Sequence, residues 1–96
     1  MQSESYNHQT RLCITQFRRF LDSHNVMAVM IGDMVYSSWY FIVNPNVIQF
    51  RGADAPLTLR MVQAVIVDSA EMTADILYLS LETAEQQTLH ISMSAA

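Results

Sequence analysis

Hydrophobic and polar positions change their period once along the chain, close to residue 25. Before that point Tyr6, Cys13, Phe17, Phe20 and Leu21 recur at spacings of seven, four, three and one, which places them on one side of a 3.6-residue repeat. Ile14 widens this stripe, and Arg11, Arg18 and Arg19 lie off it. The pattern predicts an amphipathic helix over about residues 3–25. Ser3 or Ser5 would cap its start, and the run Asp22-Ser23-His24-Asn25 would end it.

Beyond Asn25 the period falls to two and turn signals recur at short intervals, which predicts an antiparallel meander over about residues 26–93. Val26 to Ile31 reads as a strand, Gly32-Asp33 as a two-residue hairpin turn, and Met34 to Val43 as the returning strand. Asn44-Pro45-Asn46 then reverses the chain into Val47 to Arg51. After the loop Gly52 to Pro56, the segment Leu57 to Asp68 reads as one long strand whose alternation slips at Met61-Val62. Such a slip predicts a bulge or sharp bend that lets one strand serve two parts of a curved sheet. From Val62 the inward set should be Val62, Ala64 and Ile66, followed by a strand with Leu77, Leu79 and Leu81 on one face and Ile76 and Tyr78 on the other. In the last strand Leu89, Ile91 and Met93 alternate cleanly with Thr88, His90 and Ser92.

These elements predict a single α+β domain spanning 1–96. An N-terminal amphipathic helix would cap a five- to six-stranded, strongly bent antiparallel sheet or small barrel. That order of elements fits an Sm-like or SH3-like architecture. It also fits part of a pleckstrin-homology sheet, but without that fold's closing helix.

Composition narrows the function. The 96 residues are 51% hydrophobic and only 15% charged, below the roughly 25% charge of an average soluble domain. Part of the surface is therefore expected to be an interface, with another protein or with a second copy. Nine acids face five bases, all arginine, for a net charge of −4. That balance disfavours general binding to polyanions, whose affinity grows with each phosphate neutralised. The absence of lysine removes Schiff-base chemistry. One cysteine permits no internal disulfide, no charged-then-apolar leader opens the chain, and the apolar runs are too short to span a bilayer, so a cytoplasmic protein with no membrane partner is expected.

Candidate chemistry is sparse. His8, His24 and His90 share no metal-ligand spacing, so no metal is expected. Cys13 reads as a core thiol on the helix stripe, with Arg11 and His8 near enough in sequence to keep a nucleophile in view. No serine sits in a nucleophile elbow, and two glycines, Gly32 and Gly52, cannot build a phosphate-cradling loop. Asp33, Asp54, Asp68, Glu71, Asp75, Glu82 and Glu85 fall mostly in turns, as solvated charge does. No catalytic residue and no cofactor is expected.

The most distinctive local feature is the aromatic run Tyr36, Trp39, Tyr40 and Phe41 on one strand. Strict alternation would place Tyr36 and Tyr40 on one side and Trp39 and Phe41 on the other. One pair would then pack the core while the other presents a binding surface, and Tyr36, Trp39 and Tyr40 are the candidate partner-binding residues. The leading expectation is a non-catalytic module acting by protein association, as an adaptor, inhibitor or immunity-type protein that also self-associates. One alternative is an Sm-like ring that binds RNA, with Arg51 or Arg60 repeated around its rim. Another is a small-ligand barrel or enzyme with a pocket lined by residues such as Met30, Phe50 and Leu79.

Overall fold

A computed structural model describes residues 9–95. The chain forms β1 (Gln9–Leu12), α1 (Ile14–Ser23), β2 (Val26–Ile31), β3 (Met34–Ile42), β4 (Val47–Gly52), β5 (Leu57–Leu59), β6 (Val62–Asp68), β7 (Thr73–Leu79) and β8 (Gln86–Ala95). All eight strands join one sheet in the order β1-β6-β7-β8-β2-β3-β4-β5, and every pairing is antiparallel. The expected five- to six-stranded barrel of Sm-like, SH3-like or partial pleckstrin-homology type is thus corrected to an eight-stranded open sheet with one short helix. The sheet ends at β1 on one side and β5 on the other.

The helix is shorter than its predicted span. Residues 3–8, including Tyr6, lie outside the described residues, and Gln9–Leu12 pairs with β6 through Gln9↔Asp68 and Leu12↔Val65. Cys13 is extended (φ −79°, ψ 172°) and is the N-cap. Its N–H donates to Gln16 Oε1 at 2.9 Å, which satisfies one amide at the helix start. From there Ile14, Phe17 and Leu21 form the buried stripe, at the i, i+3, i+7 spacing of one helix face. Cys13 is exposed rather than a core thiol, because an N-cap stands outside the helical phase.

The predicted end of the helix is found in place. Asn25 takes a left-handed φ of 53° and its N–H donates to the Asp22 carbonyl at 3.2 Å, a conformation asparagine tolerates at a helix end. His24 stacks on Phe20 with centroids 3.9 Å apart and holds Nδ1 3.1 Å from the Phe20 carbonyl.

The helix lays Phe17 and Leu21 on the sheet's inner face, where Val29, Ile48, Phe50, Val65, Val67, Ile76 and Ile91 are nearly inaccessible to solvent. Three ladders carry an extra residue: Met27 against β8, Ser37 against β4 and Gln63 against β7. A bulge shifts side-chain parity by one. Val65 and Val67 are therefore the deepest side chains of β6; of the expected Val62, Ala64 and Ile66 the first two are buried and Ile66 is half-buried. In β7 the core side is Ala74 and Ile76, while Leu77 and Leu79 are half-buried and Leu81 lies beyond the strand, exposed.

The bend expected at Met61-Val62 is present. Met61 has a positive φ of 54°. The chain before it pairs with β4, and the chain after it pairs with β1 and β7. Val62 N–H donates to the Asn46 carbonyl at 3.0 Å, and Asn46 Nδ2 donates back to the Val62 carbonyl at 3.3 Å. These two bonds pin the corner where one stretch of chain passes between two parts of the sheet.

Candidate functional site

The aromatic run lies on β3, and the bulge at Ser37 decides which rings turn inward. Tyr36 pairs across from Gly52 and is 6% exposed, tilted against Phe50 at 6.0 Å between centroids. Trp39 and Phe41 also pack against the core, Phe41 meeting Phe17 at 6.1 Å. Tyr40 points outward, 52% exposed. The expected pairing of Tyr36 with Tyr40 on one side is therefore corrected: the extra residue between them puts the two rings on opposite faces.

Gly52 is needed where Tyr36 turns in. A Cβ there would stand 2.6 Å from the Val35 carbonyl oxygen. The close approach of β3 and β4 at the bulge depends on the missing side chain.

Outward residues of β3, β4 and β5 make a connected array. Arg51 holds its guanidinium 5.2 Å from the centre of the Tyr40 ring, a cation–π distance. Its Nε donates to Gln49 Oε1 at 2.6 Å, and Gln49 Nε2 donates to Thr58 Oγ1 at 2.9 Å. Two residues singled out from sequence for different reasons, Tyr40 and Arg51, are thus neighbours. Arg60 is not part of this group. It lies one residue past the Ile48↔Leu59 pair, about 13 Å along the strand direction from Arg51 at the usual rise per residue.

Apolar exposure concentrates between Met27 and Val43, on β2, β3 and the start of the turn to β4. Met27, Met34, Val35, Tyr40, Ile42 and Val43 are six of the eight large apolar side chains that are exposed among the described residues, the others being Met61 and Leu81. Register places Met30 beside Val35 on the outer face, with Tyr40 and Ile42 further along the same strand. Between Asp33 and Asp54 the sole charged residue is Arg51. A recess of about 230 Å³, lined by Arg18, Asp22, Trp39, Tyr40 and Phe41, continues this surface to the helix.

Comparison with protein-family models, curated proteins and solved structures finds no match for this chain.

The other candidate residues are scattered. Among the described residues no group of three or more His, Cys, Asp or Glu is placed to hold a metal. His90 Nδ1 is 2.7 Å from Asp75 Oδ1, a cross-strand pair on the outer face of β7 and β8. His24 sits at the helix end, and His8 lies outside the described residues. Met30, Phe50 and Leu79 do not line one pocket: Phe50 is in the core, Met30 on the outer face and Leu79 on a surface groove. Among the described residues no helix is long and apolar enough to cross a membrane.

Sequence reasoning missed this groove, of about 480 Å³, between the end of β5 and the β7–β8 connection. Its walls come from Thr58 and Arg60 on one side and from residues between Tyr78 and Gln87 on the other. They are far apart in sequence, and no local signal joins them.

Proposed function

We propose that the protein is a non-catalytic association module of the cytoplasm whose contact surface is the outer face of β3 with its neighbours β2 and β4, and that one partner of this surface is a second copy of the chain. The supporting observation is the concentration of Val35, Tyr40 and Ile42 in solvent on the outer side of β3, a strand with no charged residue of its own. Scattered apolar residues are normal on any surface, whereas a gathered set marks a contact. The Tyr40–Arg51 pair adds the residue types that anchor interfaces most often, and Gln49 holds Arg51 in place before any partner arrives.

The test is solution mass by light scattering over a range of concentrations. Wild type is expected to exceed the monomer mass, and the double variant Val35→Glu, Ile42→Glu to remain monomeric with unchanged far-UV circular dichroism. A wild-type protein that stays monomeric at the highest concentration would sink the self-association reading. A double variant that assembles like wild type would move the contact away from this face.

A further inference from the structure

The sheet is open, and the groove lies at its opening. β5 has β4 as its only ladder partner. β7 outruns β6: their ladder ends at Val62↔Tyr78, while β7 continues to Leu79 paired only with β8. Among the described residues no backbone hydrogen bond joins β5 to β7. The free side of β5 and the last residue of β7, Leu79, thus flank the groove.

The β7 wall is stiffened by its own turn. Ala84 N–H donates to the Ser80 carbonyl at 2.8 Å and Ser80 N–H to the Glu85 carbonyl at 2.9 Å. Ser80 Oγ accepts from the Glu82 amide at 3.2 Å. This closed turn holds Leu81 on the lip, 73% exposed and the most exposed large apolar side chain described. Around it the groove carries two acids, Glu82 and Glu85, against one base, Arg60.

We propose that this groove binds an extended segment of another protein, apolar in alternate positions and bearing a lysine or arginine, which adds to β5 as a further strand. Unpaired main-chain groups at a sheet edge are a template for strand addition, with side-chain pockets supplying the selectivity. Leu79 and Leu81 would cover the apolar positions, and Glu82 and Glu85 would face the basic one. This is a second surface, separate from the outer face of β3, and does not rest on it.

The experiment pans a displayed library of random peptides on the full chain and maps the selected peptides by amide hydrogen exchange. Peptides that alternate apolar residues and carry a basic residue should be enriched, and they should slow exchange in residues 57–60 and 79–81. The variant Glu82→Arg, Glu85→Arg should reverse the charge preference to acidic peptides, and Leu81→Ser should weaken capture at least tenfold. The Val35→Glu, Ile42→Glu variant should capture the same peptides as wild type, so that failure of the self-association reading and failure of this one give different results. No enrichment, protection confined to β2 and β3, or a charge preference unmoved by the reversal would each overturn the proposal. So would concentration-dependent protection of β5 without peptide, which would make a second copy the occupant.

Discussion

β3 and β8 are long strands of one sheet with similar inner faces and opposite outer ones. Inward, β3 offers Tyr36, Trp39 and Phe41, and β8 offers Leu89, Ile91 and Met93, all packed on the same core. Outward, β8 presents Gln86, Thr88, His90, Ser92 and Ser94, an unbroken polar row, while β3 presents Val35, Ser38, Tyr40 and Ile42. Inner faces are constrained by burial alone. The outer faces differ because one has water as its partner throughout, and the other carries apolar area that water solvates poorly.

If the inner faces are equivalent, truncating either half of the core should cost alike. Phe50→Ala, on the strand beside β3, should lose about 3–5 kcal/mol, and Ile76→Ala, on the strand beside β8, about 2–5 kcal/mol. Both side chains are fully buried. Urea denaturation of the two variants reads this directly. A loss under about 1 kcal/mol in one of them would show that the core is not shared. Next in size is Gly52→Ala, which forces a Cβ against the Val35 carbonyl and should cost about 1–3 kcal/mol through overpacking. It probes the bulge that separates Tyr36 from Tyr40. If it is neutral by the same assay, β3 and β4 are less closely apposed there than the geometry shows.

The outer faces should respond differently. Adding Thr88→Glu to β8 should leave the solution mass untouched, whereas Val35→Glu with Ile42→Glu on β3 should bring the proposed assembly down to the monomer mass. Each set should alter stability by no more than about 1 kcal/mol, the span of strand propensity on an exposed face. Equal effects on mass from both strands would erase the contrast on which the association reading stands.

The same contrast accounts for how much the sequence disclosed. β8 was legible in its facing: its ladder with β7 runs from Leu79↔Gln86 to Thr73↔Ser92 without a break, so period-two alternation maps directly onto in and out, but its ends were not, since Gln86 and Gln87 read as turn and Ser94 and Ala95, which pair with β2, read as a frayed tail. The Val26–Ile31 strand and its turn were also legible, since Gly32 at φ 60° supplies the conformation that the hairpin needs. β3 was legible as a strand but not in its facing. One extra residue at Ser37 reverses the parity, and nothing in Tyr-Ser-Ser-Trp announces a bulge. β1 was misread for a different reason: Gln-Thr-Arg-Leu has no strong preference of its own, and pairing with β6, from Gln9↔Asp68 to Leu12↔Val65, settles it from far along the chain. The candidate site was half visible. Tyr40 and Arg51 stood out as types, but their contact depends on cross-strand register, and the groove beside β5 depends on strand order, which alternation does not encode.

The smallest effect belongs to the polar outer face itself. Asp75 and His90 stand directly opposite each other on β7 and β8, 2.7 Å apart, with side chains 44% and 64% exposed. If that face is built for water, its one ion pair should add little, because exposed charges are screened and two side chains must be ordered to meet. A double-mutant cycle of Asp75→Asn and His90→Gln should give a coupling of about 0.2–1 kcal/mol. The coupling should shrink as salt is added. A salt-independent coupling of 2 kcal/mol or more would mean that the pair is shielded from solvent in the working state of the protein. The outer face of β8 would then be covered by a partner as well, and the difference between the two strands would lie in the chemistry of what covers each.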